Sequence, residues 1–467
     1  MALTHFYIDQ GTGASDLNAG STSQYSGGGS SAAAFTYAGG TFVRATGVFT
    51  VASGNPSSDG VTVGTYASVY TTSGAVAATF VAQITARDTT TITVDVTTLK
   101  WGLATAVSET AAATTCKVSG AWASELVLGA TGLGTYTAPT STKINMKGNL
   151  TIVASRTVSM AGTTTAPIWF SGYNTTPGDL DTDTTNALAK PVWTFNTGFS
   201  LITSGVQQVW SGLSVVASIN AATWTVSGGQ KLLRVRSENT GANSGSIALG
   251  ISSNGIVAAY SFFKSPTTAT AEGVVSGGGS SSTFIGCIAQ GGGFAGFQGT
   301  SGGHVYIECV ATGVTGSGFK HSTATRTMVN CTAYNVTADG AVWTGTPPVG
   351  CSVVGCLFTS CGGYGLNNAS GTNSANIVRS CNDFYSCTSG NENGMGDSPA
   401  IFGQTESSSP VTSSTDMTPV VGSNALNHGF PGIFENQTYS SLLAIGAVQP
   451  GSGPVGRTIA RGNIGTY

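Results

Sequence analysis

From residue 284 onward, apolar residues return on one long interval rather than on the short period of a helix face. "FIGCIAQGGGFAGF", "YIECVATGVTGSGF" and "MVNCTAYNVTADGA" begin at Phe284, Tyr306 and Met328 and repeat a single pattern. With Cys287, Cys309, Cys331, Cys356 and Cys381 as the zero position, the steps are 22, 22, 25 and 25 residues, the length of a solenoid coil. Ile285, Ile307, Val329 and Val354 stand at −2, and alternation along a strand predicts that −2 and 0 share one face. The fifth coil carries Arg379 there, so a shift of register is expected at that point. At +9 come Gly296, Gly318, Gly340 and Gly365, followed by Phe297, Phe319, Ala341 and Leu366. These glycines predict a corner between two short strands, where glycine supplies either a positive φ or a close approach of backbones.

No stretch shows the 3.6-residue periodicity that helical repeats require. Short strands separated by Gly, Ser, Thr and Asn, each stacked on its copy one coil later, predict an all-β chain built around a parallel β-helix. The cysteines are then a stack of small, buried groups at one inward position, where free Cys behaves as a small hydrophobe. Weaker copies upstream place Leu233 and Val235, and Val257 and Ala259, at −2 and 0, which implies that size and apolarity count for more than sulfur. The expected organisation is an N-terminal lead-in and cap over residues 1–35, then a small antiparallel β module over 36–112, which has longer alternating strands. The β-helix coils follow over 113–400, with a C-terminal cap and arm over 401–467.

Charged residues make up 8% of the chain, against about 25% in typical soluble domains, so Ser, Thr and Asn must hydrate its surface. Such a surface packs against other subunits without desolvating ions, which suits assembly. The net charge is −3 and there is no basic patch, which argues against nucleic acid as a partner. No run approaches the 18 apolar residues of a membrane span, so no membrane insertion is expected, and "MALTHFYIDQ" lacks the features of an export signal. Nine cysteines, an odd number, fit reduced thiols better than a disulfide framework.

"FYIDQGTGASDLNAG" near the start, "FSGYNTTPGD" in an early coil and "AIGAVQ" near the end resemble segments of right-handed parallel β-helix (pectate-lyase-like) proteins, frequent among bacteriophage virion proteins of the tail-spike or capsid-decoration type. The resemblance implies the right-handed sense and a homotrimer. Because the superfamily includes lyases, glycan-cleaving spikes and non-enzymatic virion proteins, it does not choose among activities.

Glycoside hydrolysis needs two carboxylates roughly 5–10 Å apart. Glu238, Glu308, Asp339 and Asp383 fall at +3, −1, +8 and +2, and with Glu272 they place no two acids on one row. The one acidic cluster is "GDLDTD", and Asp179, Asp181 and Asp183 are its candidate oxygen ligands for a cation such as Ca²⁺. His304 and His321 are expected at exposed corners, and the cysteine spacing fits no zinc site. Cys351 or Cys361 is the candidate to pair with a neighbouring thiol in an oxidising medium. Tyr260, Phe262 and Phe263 are candidates to stack on a sugar or a partner subunit.

The sequence therefore predicts no catalytic residue and no cofactor. It points to a phage virion protein on the particle exterior, a capsid decoration or spike, structural or binding the host surface and assembled in the bacterial cytoplasm. Its expected partners are its own copies, other capsid or tail proteins and a host surface glycan. The competing reading is a tail-spike depolymerase that hydrolyses or eliminates host polysaccharide; a bacterial adhesin is a third.

Overall fold

The computed structural model describes residues 4–9, 33–71, 79–97, 100–101, 114–119, 121–123, 142–182, 188–253, 255–268, 272–278, 281–300, 302–323, 325–372, 374–395, 404–411, 420 and 423. Each coil lays one short strand in each of three parallel sheets, which contain eleven, eleven and ten strands among the described residues. The chain is a right-handed parallel β-helix, the hand that crossovers between parallel strands take in nearly every sheet. The first sheet opens with Thr4–Asp9, which pairs in parallel with Thr142–Lys147, so the lead-in forms the end strand of the β-helix.

Like residues stack because the pairing is in register. The inward row of the first sheet reads Phe6, Ile144, Phe170, Trp210, Leu232, Ala258, Phe284, Tyr306, Met328, Val353 and Arg379. Phe170 and Trp210 stack at 4.0 Å, and Phe284 and Tyr306 at 5.5 Å. In the third sheet Phe297 stacks on Phe319 at 5.2 Å. Each large side chain buried in such a row contributes about 1.5–3 kcal/mol. The rows together form one continuous apolar column.

The zero position lies inside this column, and Cys287, Cys309, Cys331 and Cys356 are fully buried. Three parts of the expected pattern need correction. Residues at −1 hold left-handed backbone in eight successive coils, namely Gly212, Arg234, Tyr260, Gly286, Glu308, Asn330, Gly355 and Cys381. That bend interrupts the alternation, so the residues at −3 point inward while Ile285, Ile307, Val329 and Val354 at −2 are only partly buried. The row itself is Leu213, Val235, Ser261, Cys287, Cys309, Cys331, Cys356 and Asn382. Cys381 therefore sits at the bend, one residue off the ladder, and Ala259 is displaced from it by two residues. A polar Ser261 and Asn382 in the row also show that apolarity is not its rule.

Hydrogen bonding explains the row. At the bend the peptide N–H of the zero residue points along the column, and the zero side chain of the next coil accepts it. Val235 N–H donates to Ser261 Oγ at 3.2 Å, Cys331 N–H to Cys356 Sγ at 3.4 Å, and Cys356 N–H to Asn382 Oδ1 at 3.0 Å. In the same register the backbone groups of Ser261, Cys287 and Cys309 act on the thiols of Cys287, Cys309 and Cys331, lowering them against the larger effect of burial. The thiols then donate to carbonyls of the preceding coil, Cys287 to Ala258 at 3.3 Å and Cys309 to Phe284 at 3.4 Å. Asn382 does the same through Nδ2, reaching Val353 at 3.0 Å. Buried backbone groups must find partners, and a small side chain that both accepts and donates supplies them.

Gly296, Gly318, Gly340 and Gly365 stack on one another and take no positive φ. Of the two roles open to a corner glycine, close approach is the one used. A Cβ on Gly318 would lie 2.7 Å from Gly340 O and 2.8 Å from Ala333 Cβ, and one on Gly340 would lie 2.4 Å from the Phe358 ring.

The N-terminal end of the column is closed. Between the first and second strands of the first sheet the chain builds a small antiparallel module. Phe35–Val43, Val48–Thr50, Tyr66–Thr71, Thr79–Arg87, Thr91–Val94 and Thr114–Val118 close on themselves, because Tyr66–Thr71 pairs with Thr79–Arg87 as well as with Thr114–Val118. The resulting barrel is filled by Phe42, Phe49, Val69, Phe80, Ile92 and Cys116. Closure removes the free edges that would otherwise invite further pairing. Tyr66 and Val81 join the solenoid core, with the Tyr66 ring edge-on to Phe6 at 4.9 Å and Trp122 stacked on Phe6 at 5.4 Å. At the far end, Arg379 and Glu392 finish two inward rows, and Arg379 Nη1 lies 2.6 Å from Glu392 Oε2.

Candidate functional site

On the outer wall, strands Val192–Phe195 and Ser214–Ala217 run side by side in the second sheet. After Phe195 the chain turns sharply: Phe199 N–H donates to Asn196 O at 3.1 Å, and Gly198, at φ 89°, donates to Ser218 O at 3.0 Å. Thr240 follows one coil later, its N–H on Ala217 O at 2.8 Å. These corners border an open groove of about 570 Å³ lined by Thr194, Phe195, Asn196, Thr197, Phe199, Val216, Ala217, Ser218 and Thr240. No lining side chain is charged. Hydroxyls and an amide surround the half-buried ring of Phe199, which is anchored on the core. That chemistry suits a neutral polyhydroxylated ligand, with hydrogen bonds at the rim and an apolar face below.

Glu238, Glu272, Asp339 and Asp383 are committed to other contacts, and Glu308 sits half-buried at a left-handed bend. Glu238 lies between Arg236 Nη2 at 2.6 Å and Lys264 Nζ at 2.9 Å. Burial pushes its carboxyl up, but hydrogen bonds from both cations outweigh this and leave it below the usual range. Glu272 accepts from Ser276 Oγ at 2.7 Å, and Asp339 accepts from Tyr364 N–H at 2.8 Å and Asn367 Nδ2 at 2.9 Å. Asp383 is fully buried beside Glu406, and burial together with the Glu406 charge pushes its carboxyl up to about 8. This carboxyl pair escapes sequence reasoning because Glu406 lies beyond the regular repeat, on the segment that follows Gln404–Thr405, a strand pairing with Asp383–Tyr385.

The other expected residues divide between wall and interior. Phe262 points outward, with the Arg236 guanidinium 5.1 Å from its ring, and Tyr260 occupies a left-handed bend, half-buried. Phe263 is fully buried in the column, since neighbours in a strand face opposite ways, so it is no contact for a ligand. Asp179 spends its carboxylate on the N–H groups of Asn174, Thr175 and Thr176 at 3.0, 2.7 and 3.0 Å. Burial raises that carboxyl, and these bonds more than reverse the effect. The Asp181 side chain and Asp183 lie outside the described residues. Among the described residues, no three His, Cys, Asp or Glu side chains group as metal ligands.

His304 and His321, expected at exposed corners, are fully buried, as is Arg326. His304 and Arg326 belong to an inward row at the corner leading into the first sheet, Gln208, Gln230, Ile256, Ser282, His304 and Arg326, whereas His321 ends a third-sheet strand in register with Gly299 and Trp343. Gln208 Nε2 donates to Met160 O at 2.7 Å and Gln230 Nε2 to Thr203 O at 2.7 Å, so the row ties down corner carbonyls. Arg326 Nη1 donates to the carbonyls of Gly302 and Thr325, and among the described residues no carboxylate pairs with it. Burial, Arg326 and His304 together hold the His321 imidazole well below its ordinary value, hence neutral. This row repeats five residues ahead of the zero position, a period that a search confined to apolar residues passes over.

No family model matches the chain, and no curated protein is similar to it. Among solved structures it is similar to pectate lyase Pel9A, at 13% identity over 70% of this chain and 91% of that one, with a TM-score of 0.39. It is also similar to the PL6 family polysaccharide lyase Pedsa3628 from Pseudopedobacter saltans (12%, 59% and 88%, TM-score 0.31). A third is the tailspike protein gp49 from Pseudomonas phage LKA1 (11%, 82% and 64%, TM-score 0.24). At such identities the likeness is one of fold and carries no activity across.

Proposed function

We propose that the protein is an exterior structural component of a bacteriophage particle, a capsid decoration or spike, attached through its barrel end and binding host surface glycan in the neutral groove. The observation that carries this reading is the continuous buried column whose wall offers an uncharged groove, while Glu238, Glu272, Asp339 and Asp383 are held in ion pairs, hydrogen bonds and a buried contact. Valines left exposed on the barrel module, Val43 and Val63, supply apolar surface for attachment. Three copies are the assembly the resemblance implies, and light scattering of the purified chain tests it.

Purified host surface polysaccharide should bind the full chain, and Phe199→Ala should weaken binding at least fivefold with the circular dichroism spectrum unchanged. Equal binding by wild type and variant would remove the groove from the proposal. Val43→Glu with Val63→Glu should fold yet fail to join particles; normal incorporation would rule out attachment by this end. The depolymerase reading has one observation in its favour, the Asp383–Glu406 pair, which keeps a proton near neutral pH. New reducing ends from host polysaccharide, abolished by Asp383→Asn, would establish that reading instead.

A further inference from the structure

Cys361 ends the strand Leu357–Cys361, and Cys387 stands 26 residues later. Leu357 pairs with Asp383 and Thr359 with Tyr385, so the same register places Cys387 directly over Cys361 in the final coil. Neighbouring coils lie about 4.8 Å apart, within the roughly 4.4–6.8 Å that a disulfide spans between Cα atoms. The two thiols are close enough to act on each other electrostatically, each shifting the other. Cys387 also donates to Phe358 O at 3.6 Å, which aims its sulfur along the column.

Access separates this pair from the other stacked thiols. Cys116, Cys287, Cys309, Cys331, Cys351, Cys356 and Cys361 are buried, while Cys381 and Cys387 are only partly so. Cys381 sits at the bend with the Ser380 hydroxyl, not a thiol, 3.3 Å from its sulfur. Burial pushes the row thiols of Cys287, Cys309 and Cys331 well up, which keeps them protonated and inert. The neighbouring Cys361 thiol lowers Cys387 instead, giving the reachable sulfur more thiolate character.

We propose that Cys361 and Cys387 form a peroxide-driven redox pair that closes as a disulfide and staples the last coil to the one before it. The Cys387 thiolate attacks one oxygen of hydrogen peroxide, the O–O bond breaks, and hydroxide leaves as Cys387 becomes a sulfenic acid. The Cys361 sulfur then attacks the sulfenic sulfur, its thiol proton leaves with the hydroxyl as water, and the S–S bond forms. In total two thiols are oxidised and one peroxide is reduced to two waters. The chemistry needs only peroxide and does not depend on the virion reading.

The test uses the full chain carrying Cys381→Ser, purified reduced and then exposed to hydrogen peroxide. Non-reducing digestion and mass spectrometry should find a peptide joining Cys361 to Cys387, lighter by two hydrogens, with two fewer thiols open to alkylation after unfolding. Closing this loop should raise Tm by about 2–5 °C, an increase lost on reduction. In Cys361→Ser the sulfenic acid on Cys387 should persist and be trapped by dimedone. Overoxidation of Cys387 in the presence of a free Cys361, or the same products from wild type and Cys361→Ser, would overturn the proposal.

Discussion

Replacing Cys356 tests whether the stacked thiols fill space or carry hydrogen bonds. Its sulfur accepts the N–H of Cys331 at 3.4 Å and donates to Val354 O at 3.5 Å, in a fully buried setting. Cys356→Val keeps the site apolar and filled, yet leaves a peptide N–H inside the column with no acceptor. That omission costs about 1–3 kcal/mol, roughly 5- to 150-fold in the local folding equilibrium. Cys356→Ser keeps both bonds, as Ser261 does in the same row, and should cost under about 1 kcal/mol. Denaturant midpoints and native-state hydrogen exchange of the Cys331 amide measure the order, which should be Cys, then Ser, then Val. A valine variant as stable as wild type with serine clearly worse would show the row to be apolar filling and refute the hydrogen-bond account.

The segment containing Glu406 should respond to pH. The Asp383 carboxyl is raised from 3.8 to about 8, so folding gains stability that is full below about pH 4 and is lost as pH rises through 8. Limited proteolysis should therefore cut around residues 404–411 faster at pH 9 than at pH 6, and Asp383→Asn should flatten that difference. Gly299→Ala should cost about 1–3 kcal/mol, because its Cβ would lie 2.5 Å from Arg326 Nη2 and 2.7 Å from His304 Cδ2, the first of these contacts being the one a shorter side chain at 326 relieves. Much of that cost should vanish in an Arg326→Met background, measured as non-additive shifts in Tm. A cost unchanged by Arg326→Met would show that the corner is not limited by the guanidinium.

The long period, the all-β character and the buried cysteines are legible in the sequence because stacking forces chemically similar residues onto similar spacings. The left-handed bend at −1 is not, since Arg234, Tyr260, Glu308 and Cys381 carry no glycine signal and are held there by the surrounding pairings. Missing that bend reverses the face assigned to position −2. The slip from Cys381 to Asn382 is hidden for a related reason: asparagine replaces cysteine by hydrogen-bonding capacity, which a search for apolar matches discards. His304 and His321 look like surface residues by type; the row through Gln208 and Gln230 explains the burial of His304, and the register with Gly299 and Trp343 that of His321. In the candidate groove no single residue carries a signal, because Thr, Ser and Asn line most of the wall. Glu406 meets Asp383 only through the segment that follows Gln404–Thr405, beyond the last regular repeat.

The pairing of Thr4–Asp9 with Thr142–Lys147 also sets a schedule for the nascent chain. Thr4–Asp9 leaves the ribosome more than a hundred residues ahead of the strand it pairs with. The barrel, whose strands all lie between the two, can close in that interval and is poised to hold the waiting strand near its docking edge. Coil winding then proceeds from a finished foundation in the direction of synthesis, each new turn finding the previous one already laid down.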